Sequence, residues 1–134
     1  MRRRPEWWVV IPFAASGVMH LVRPQVFDPI VPAGLRRWSR PLVLVSGLAE
    51  IGCAAGLLHP RTRPAAGTAS AALLLAVWPA NLQMSLDLAE RARRRRDPRA
   101  VAALAVSLLR LPLQVPLIRI AWQARSSSAR SARA

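Results

Sequence analysis

Four apolar runs alternate with short arginine-rich stretches along this chain. They cover residues 7–22, 42–58, 65–88 and 100–123, about 16, 17, 24 and 24 residues. A helix that crosses a bilayer needs roughly 17–25 mostly apolar residues. The third and fourth runs meet that length, and the first two sit at its lower limit. None carries the one-faced stripe of a soluble amphipathic helix; residues 73–77 are apolar right round the helix. Alternation with period two is absent, and the runs are too long and too rich in Ala and Leu for strands. The pattern predicts an all-α fold, a four-transmembrane-helix bundle forming a single integral membrane domain over residues 1–123. Its helices are expected at about 6–22, 42–58, 65–88 and 100–123.

Prolines agree with that reading. Pro12, Pro79, Pro112 and Pro116 fall inside apolar runs. In a soluble helix each would be a break, whereas a membrane bundle tolerates them because neighbours re-satisfy the freed carbonyls. Residues 22–41 hold Pro24, Pro29, Pro32 and Pro41 with apolar residues between them. This predicts a short amphipathic or re-entrant segment at the interface between helices 1 and 2. Residues 124–134, rich in Ser, Ala and Arg, read as a disordered basic tail.

Composition sharpens the picture. The 134 residues are 53% hydrophobic, yet carry 20 basic against 6 acidic residues, a formal charge of +14. Every basic residue is Arg, and 18 of the 20 lie outside the apolar runs. Such positions mark loops and helix borders. Trp7, Trp8, Trp38 and Trp122 lie near run ends, as interfacial belts require. The N-terminus also has the outline of a signal peptide, Arg2 to Arg4 before an apolar stretch and Ala14-Ala15-Ser16. Three further runs would leave even a cleaved chain in the membrane. With four spans both termini share a side, which carries eight arginines against ten on the other. The positive-inside rule therefore gives no orientation.

Polar groups inside apolar runs are costly in lipid, and so informative. His20 ends the first run, Glu50 sits in the second, Asn81 in the third, and Arg110 and Gln114 in the fourth. The economical expectation is that all five meet in a buried polar cluster, with Glu50 and Arg110 as its ion pair. That cluster is either interhelical glue or a functional site. Gly52 and Gly56 have small-xxx-small spacing, which suits close packing of helix backbones. The lone Cys53 excludes an intrachain dithiol cycle. Two histidines are too few for a metal or haem site within one chain. No Walker loop, dinucleotide fingerprint or HExxH is present, so no catalytic residue is assigned. Arg93, Arg94, Arg95 and Arg96 flank membrane spans. They are therefore expected to contact anionic lipid head groups and not nucleic acid.

Several strings resemble the DoxX-like family of small four-helix integral membrane proteins. They are Gly17-Val18-Met19-His20 with Pro24 and Phe27, Ser46-Gly47-Leu48-Ala49-Glu50, Pro79-Ala80-Asn81, and Arg110-Leu111-Pro112-Leu113-Gln114. The resemblance implies a multi-pass protein of the bacterial cytoplasmic membrane and little about activity. The leading expectation is an accessory or scaffold subunit serving a membrane redox partner. The alternatives are a protein binding quinone or another lipophilic ligand, with His20 and Glu50 handling protons, and a small transporter or channel lined by Glu50 and Arg110. No cofactor is evident, although quinone fits the first alternative. Self-association is compatible with all three.

Overall fold

A computed structural model describes residues 6–31, 33–95 and 98–126, and of Ile30, Ala33 and Arg95 the backbone alone. Helix α1 is Trp7–Val22, α2 Ser39–Leu58, α3 Arg63–Arg95 and α4 Pro98–Ala124. Three short 3-10 turns, Pro24–Val26, Asp28–Ile30 and Ala33–Trp38, join α1 to α2. Among the described residues there is no strand. The all-α expectation therefore holds. Three stretches are long and apolar enough to cross a membrane: Gly34–Leu58, Arg63–Arg94 and Pro98–Ala124.

Helix α1 is the exception. At 1.5 Å per residue its 16 residues rise only about 24 Å, less than the roughly 30 Å hydrocarbon core. Helix α3, with 33 residues, rises about 50 Å. Its charged last turns continue past the apolar run, so the helix does not stop where hydropathy does.

The molecule is two antiparallel hairpins side by side. Helices α3 and α4 pack most extensively, α1 and α2 next, and α2 against α3 joins the pairs; α1 and α4 barely touch. The beginnings of α1 and α3 therefore lie at the same end as the finishes of α2 and α4. The apolar core runs from that end, with Val9, Val10 and Phe13 of α1, Ala54 and Leu57 of α2, Ala71 and Leu74 of α3, and Ala121 of α4. Outer positions remain apolar and exposed, including Ile11, Val45, Leu48, Val106 and Leu109. That is the inverse of a soluble helix and the rule for one facing lipid.

Glycine sets the closest approach. A Cβ on Gly17 would sit 2.7 Å from the Gly47 carbonyl oxygen, and one on Gly47 would sit 2.9 Å from that of Gly17. Helices α1 and α2 thus cross backbone to backbone. Gly67 does the same between α3 and α4, where a Cβ would meet the Ala121 carbonyl at 2.6 Å. The Gly52/Gly56 pair is not such a crossing. Gly56 lies against Ala66 of α3, while Gly52 faces open space.

The connection over residues 22–41 is folded, not a plain loop. The Asp28 carboxylate accepts a hydrogen bond from Arg40 at 2.7 Å, which ties the middle 3-10 turn to the start of α2. At the other terminus, Arg125 stacks on Trp122 at 3.6 Å. The described chain thus stays ordered one turn past the expected border at 123. Residues 127–134, most of the expected tail, lie outside the described residues.

Candidate functional site

Because Gly17 and Gly47 bring α1 and α2 together, the side chains flanking the crossing are forced into contact. His20, one turn on from Gly17, meets Glu50, one turn on from Gly47: Nδ1 lies 3.4 Å from Oε2. Both residues are buried, and neither of these two atoms has a hydrogen-bond partner among the described residues. The Phe27 ring closes over the imidazole edge-on, with ring centroids 4.1 Å apart. Ser16 lies beside the Glu50 carboxyl. At eight residues from the end of α2, Glu50 is about 12 Å deep along the helix.

The expected Glu50–Arg110 ion pair does not form. Arg110 is exposed on α4 and forms no ion pair among the described residues. Its positive charge still acts through space on both Glu50 and His20. The physical reason is the packing: α4 leans on α3 and scarcely reaches α1, so its guanidinium overlooks the His20–Glu50 pair without entering it. Of the five residues expected in one cluster, His20, Glu50, Asn81 and Gln114 are buried, but His20 and Glu50 meet at the α1–α2 crossing while Asn81 and Gln114 lie elsewhere.

Asn81 and Gln114 belong to the seam between α3 and α4. The Gln114 amide donates to the Leu74 carbonyl at 3.2 Å. The Ser85 hydroxyl donates to the Asn81 carbonyl at 3.0 Å and also meets the hydroxyl of Ser107. The Asn81 amide nitrogen and the Gln114 amide oxygen are buried without hydrogen-bond partners among the described residues. Cys53 is buried beside Ser70 of α3. Among the described residues, no group of three or more His, Cys, Asp or Glu could hold a metal ion.

Arg93 and Arg94 both pair with Glu90 on the exposed last turns of α3. The side chain of Arg95 and all of Arg96 lie outside the described residues.

Sequence reasoning missed a second charged contact. Glu6, just before α1, is buried and its Oε1 lies 3.7 Å from Nε of Arg63 at the start of α3. Arg63 Nε also donates to the Leu57 carbonyl at 3.0 Å. These residues line a cavity of about 170 Å³ together with Trp7, Val10, Leu57 and Leu58. A usable signal existed: an even number of antiparallel helices puts residue 6 and residue 63 at the same end.

Comparison with known proteins corrects one expectation. Neither the curated proteins nor the solved structures give a match. The resemblance to DoxX-like proteins does not stand, because the family model that matches is a different one. The strings behind it were isolated polar groups among small and apolar residues. Packing favours that composition at many helix interfaces in membranes, so it is a poor family marker. The matching model, described as a domain of unknown function (DUF8561), covers residues 9–125, nearly the whole chain, and the chain belongs to that family.

Proposed function

We propose that this chain is a multi-pass membrane protein that crosses the bilayer four times and acts as a non-catalytic accessory or scaffold subunit. The observation carrying the reading is where the intramembrane polar groups go. Gln114 is used on a backbone carbonyl of the neighbouring helix and Ser85 on Ser107, while His20 and Glu50 face each other at 3.4 Å across a glycine crossing. Interhelical polar contacts of this kind fix register in lipid, where apolar packing alone discriminates poorly. Short α1 is accommodated by local thinning of the bilayer, with Trp7 and Trp8 anchoring its start. Arg93 and Arg94 lie where anionic head groups would be met. The apolar outer face of α4 is available to a partner subunit or a second copy.

A second reading has one specific support. The His20–Glu50 pair lies within electrostatic range of the exposed Arg110, and intramembrane ionisable groups that act on one another are what a proton-linked transporter would use. The quinone reading needs an apolar cavity shared by His20 and Glu50, and the cavity at Glu6 and Arg63, at the other end of α1, gives it no support.

One set of measurements separates these. The scaffold reading expects the protein to resist alkaline carbonate extraction. It also expects Glu50→Gln and His20→Gln to lower the melting temperature in detergent, with wild-type liposomes showing no proton flux above protein-free ones. Flux lost in both variants would replace it with the transporter.

A further inference from the structure

We propose that the seam between the start of α1, the end of α2 and the start of α3 binds the zwitterionic head group of a phospholipid with a primary ammonium. Glu6 would take the ammonium and Arg63 the phosphate. The inference rests on the membrane reading above, which places this end of the bundle at the head-group level.

The first observation is an unmet acceptor. Glu6 is only 9% exposed, and its Oε2 is buried with no hydrogen-bond partner among the described residues. Its Oε1 is 3.7 Å from Arg63 Nε, too long for a hydrogen bond. A buried carboxylate without a hydrogen-bond donor is unfavourable, and a ligand carrying N–H groups that reaches it from the cavity would relieve the deficit.

The second observation is room. Both charged residues line the 170 Å³ cavity. A cavity of about 150 Å³ takes a molecule the size of benzene, so a two-carbon ammonium arm fits. Val10, Leu57 and Leu58 supply an apolar wall for the adjoining glyceryl and first methylene groups. Trp7 and Leu58 are half-exposed at its rim, 49% and 50%, so the opening faces where lipid would lie.

Charge then selects among head groups. A purely anionic lipid meets Arg63 but is opposed by Glu6. A bare cation has the opposite difficulty. Only a ligand carrying both signs a few ångströms apart suits the pair. Arg63 holds its fork in place through the Nε bond to Leu57, and the guanidinium has further donors for a phosphate oxygen. A trimethylammonium group has no N–H to offer the Glu6 carboxylate, whereas a primary ammonium has three.

The test is lipid retention by the full-length protein in detergent, read by native mass spectrometry. Equal amounts of ethanolamine-, choline- and glycerol-headed phospholipids of one acyl composition are supplied, with soluble phosphoethanolamine as a separate arm. Wild type is expected to retain the ethanolamine lipid about tenfold over the other two, the scale of one charge-assisted hydrogen bond. Glu6→Gln should level the three, and Arg63→Gln should weaken all of them. Leu58→Trp, which fills the cavity and leaves both charges, should abolish retention and guards against a charge variant that fails to fold. Equal retention of the three lipids by wild type would overturn the proposal. Soluble phosphoethanolamine binding as well as the lipid would overturn the lipid assignment. Carbonate-resistant membrane association without head-group selection would sink this site alone, whereas release by carbonate would sink the membrane reading itself.

Discussion

Gly17 and Gly47 decide more about this molecule than any charged residue. With no side chain at either position, the α1 and α2 backbones touch, and that contact delivers His20 to Glu50. Gly17→Ala would place a methyl carbon 2.7 Å from the Gly47 carbonyl. Overpacking of this kind costs about 1–3 kcal/mol, so a clear drop in melting temperature in detergent is expected. Gly52→Ala, with nothing within 4 Å of the new methyl, should be neutral or stabilising by up to about 1 kcal/mol. Equal effects of the two would refute the crossing. The spacing of Gly52 and Gly56 drew attention because it lies within one helix. Gly17 and Gly47 lie on different helices, and nothing local pairs them.

At the scale of elements, the α3–α4 hairpin is stitched by hydroxyls and amides in place of a broad apolar stripe. Gln114→Leu keeps the size of the side chain but removes its bond to the Leu74 carbonyl. Interhelical hydrogen bonds in membranes average about 0.6 kcal/mol. A modest destabilisation of that order is expected in thermal denaturation. A double-mutant cycle of Ser85→Ala and Ser107→Ala should give a similar coupling, and a coupling of zero would disprove the contact. Sequence alone marks Asn81 and Gln114 as buried polar positions, and both are buried. It does not mark Ser107 or Ser85 as partners, because a lone serine in an apolar run is cheap and carries little signal.

At the scale of the whole molecule, two hairpins place the turn after α2 and the end of α4 at one end and the α1–α2 connection at the other. Single cysteines introduced in a Cys53→Ser background test this by labelling in oriented vesicles with a membrane-impermeant maleimide. Thr62→Cys and Ser126→Cys should react from the same side, and Gln25→Cys from the opposite one. Labelling of positions 62 and 126 from different sides would contradict the antiparallel arrangement. The even number of apolar runs anticipated it, whereas the balance of arginines did not say which side is which.

What the sequence by itself determined is the class of protein: helical, with apolar segments of membrane-spanning length bordered by arginine. Three stretches meet that length in the structure, with α1 as a shorter fourth helix. Length and hydropathy are properties of a segment alone, so they are legible before folding. What only the tertiary structure decided is which polar groups meet. A contact between helices depends on rotation about each axis and on how closely the backbones approach, and both follow from packing across the bundle. Glu50 therefore faces His20 through a glycine crossing instead of forming an ion pair with Arg110. Glu6 and Arg63, 57 positions apart in the chain, share a cavity that no local pattern announced.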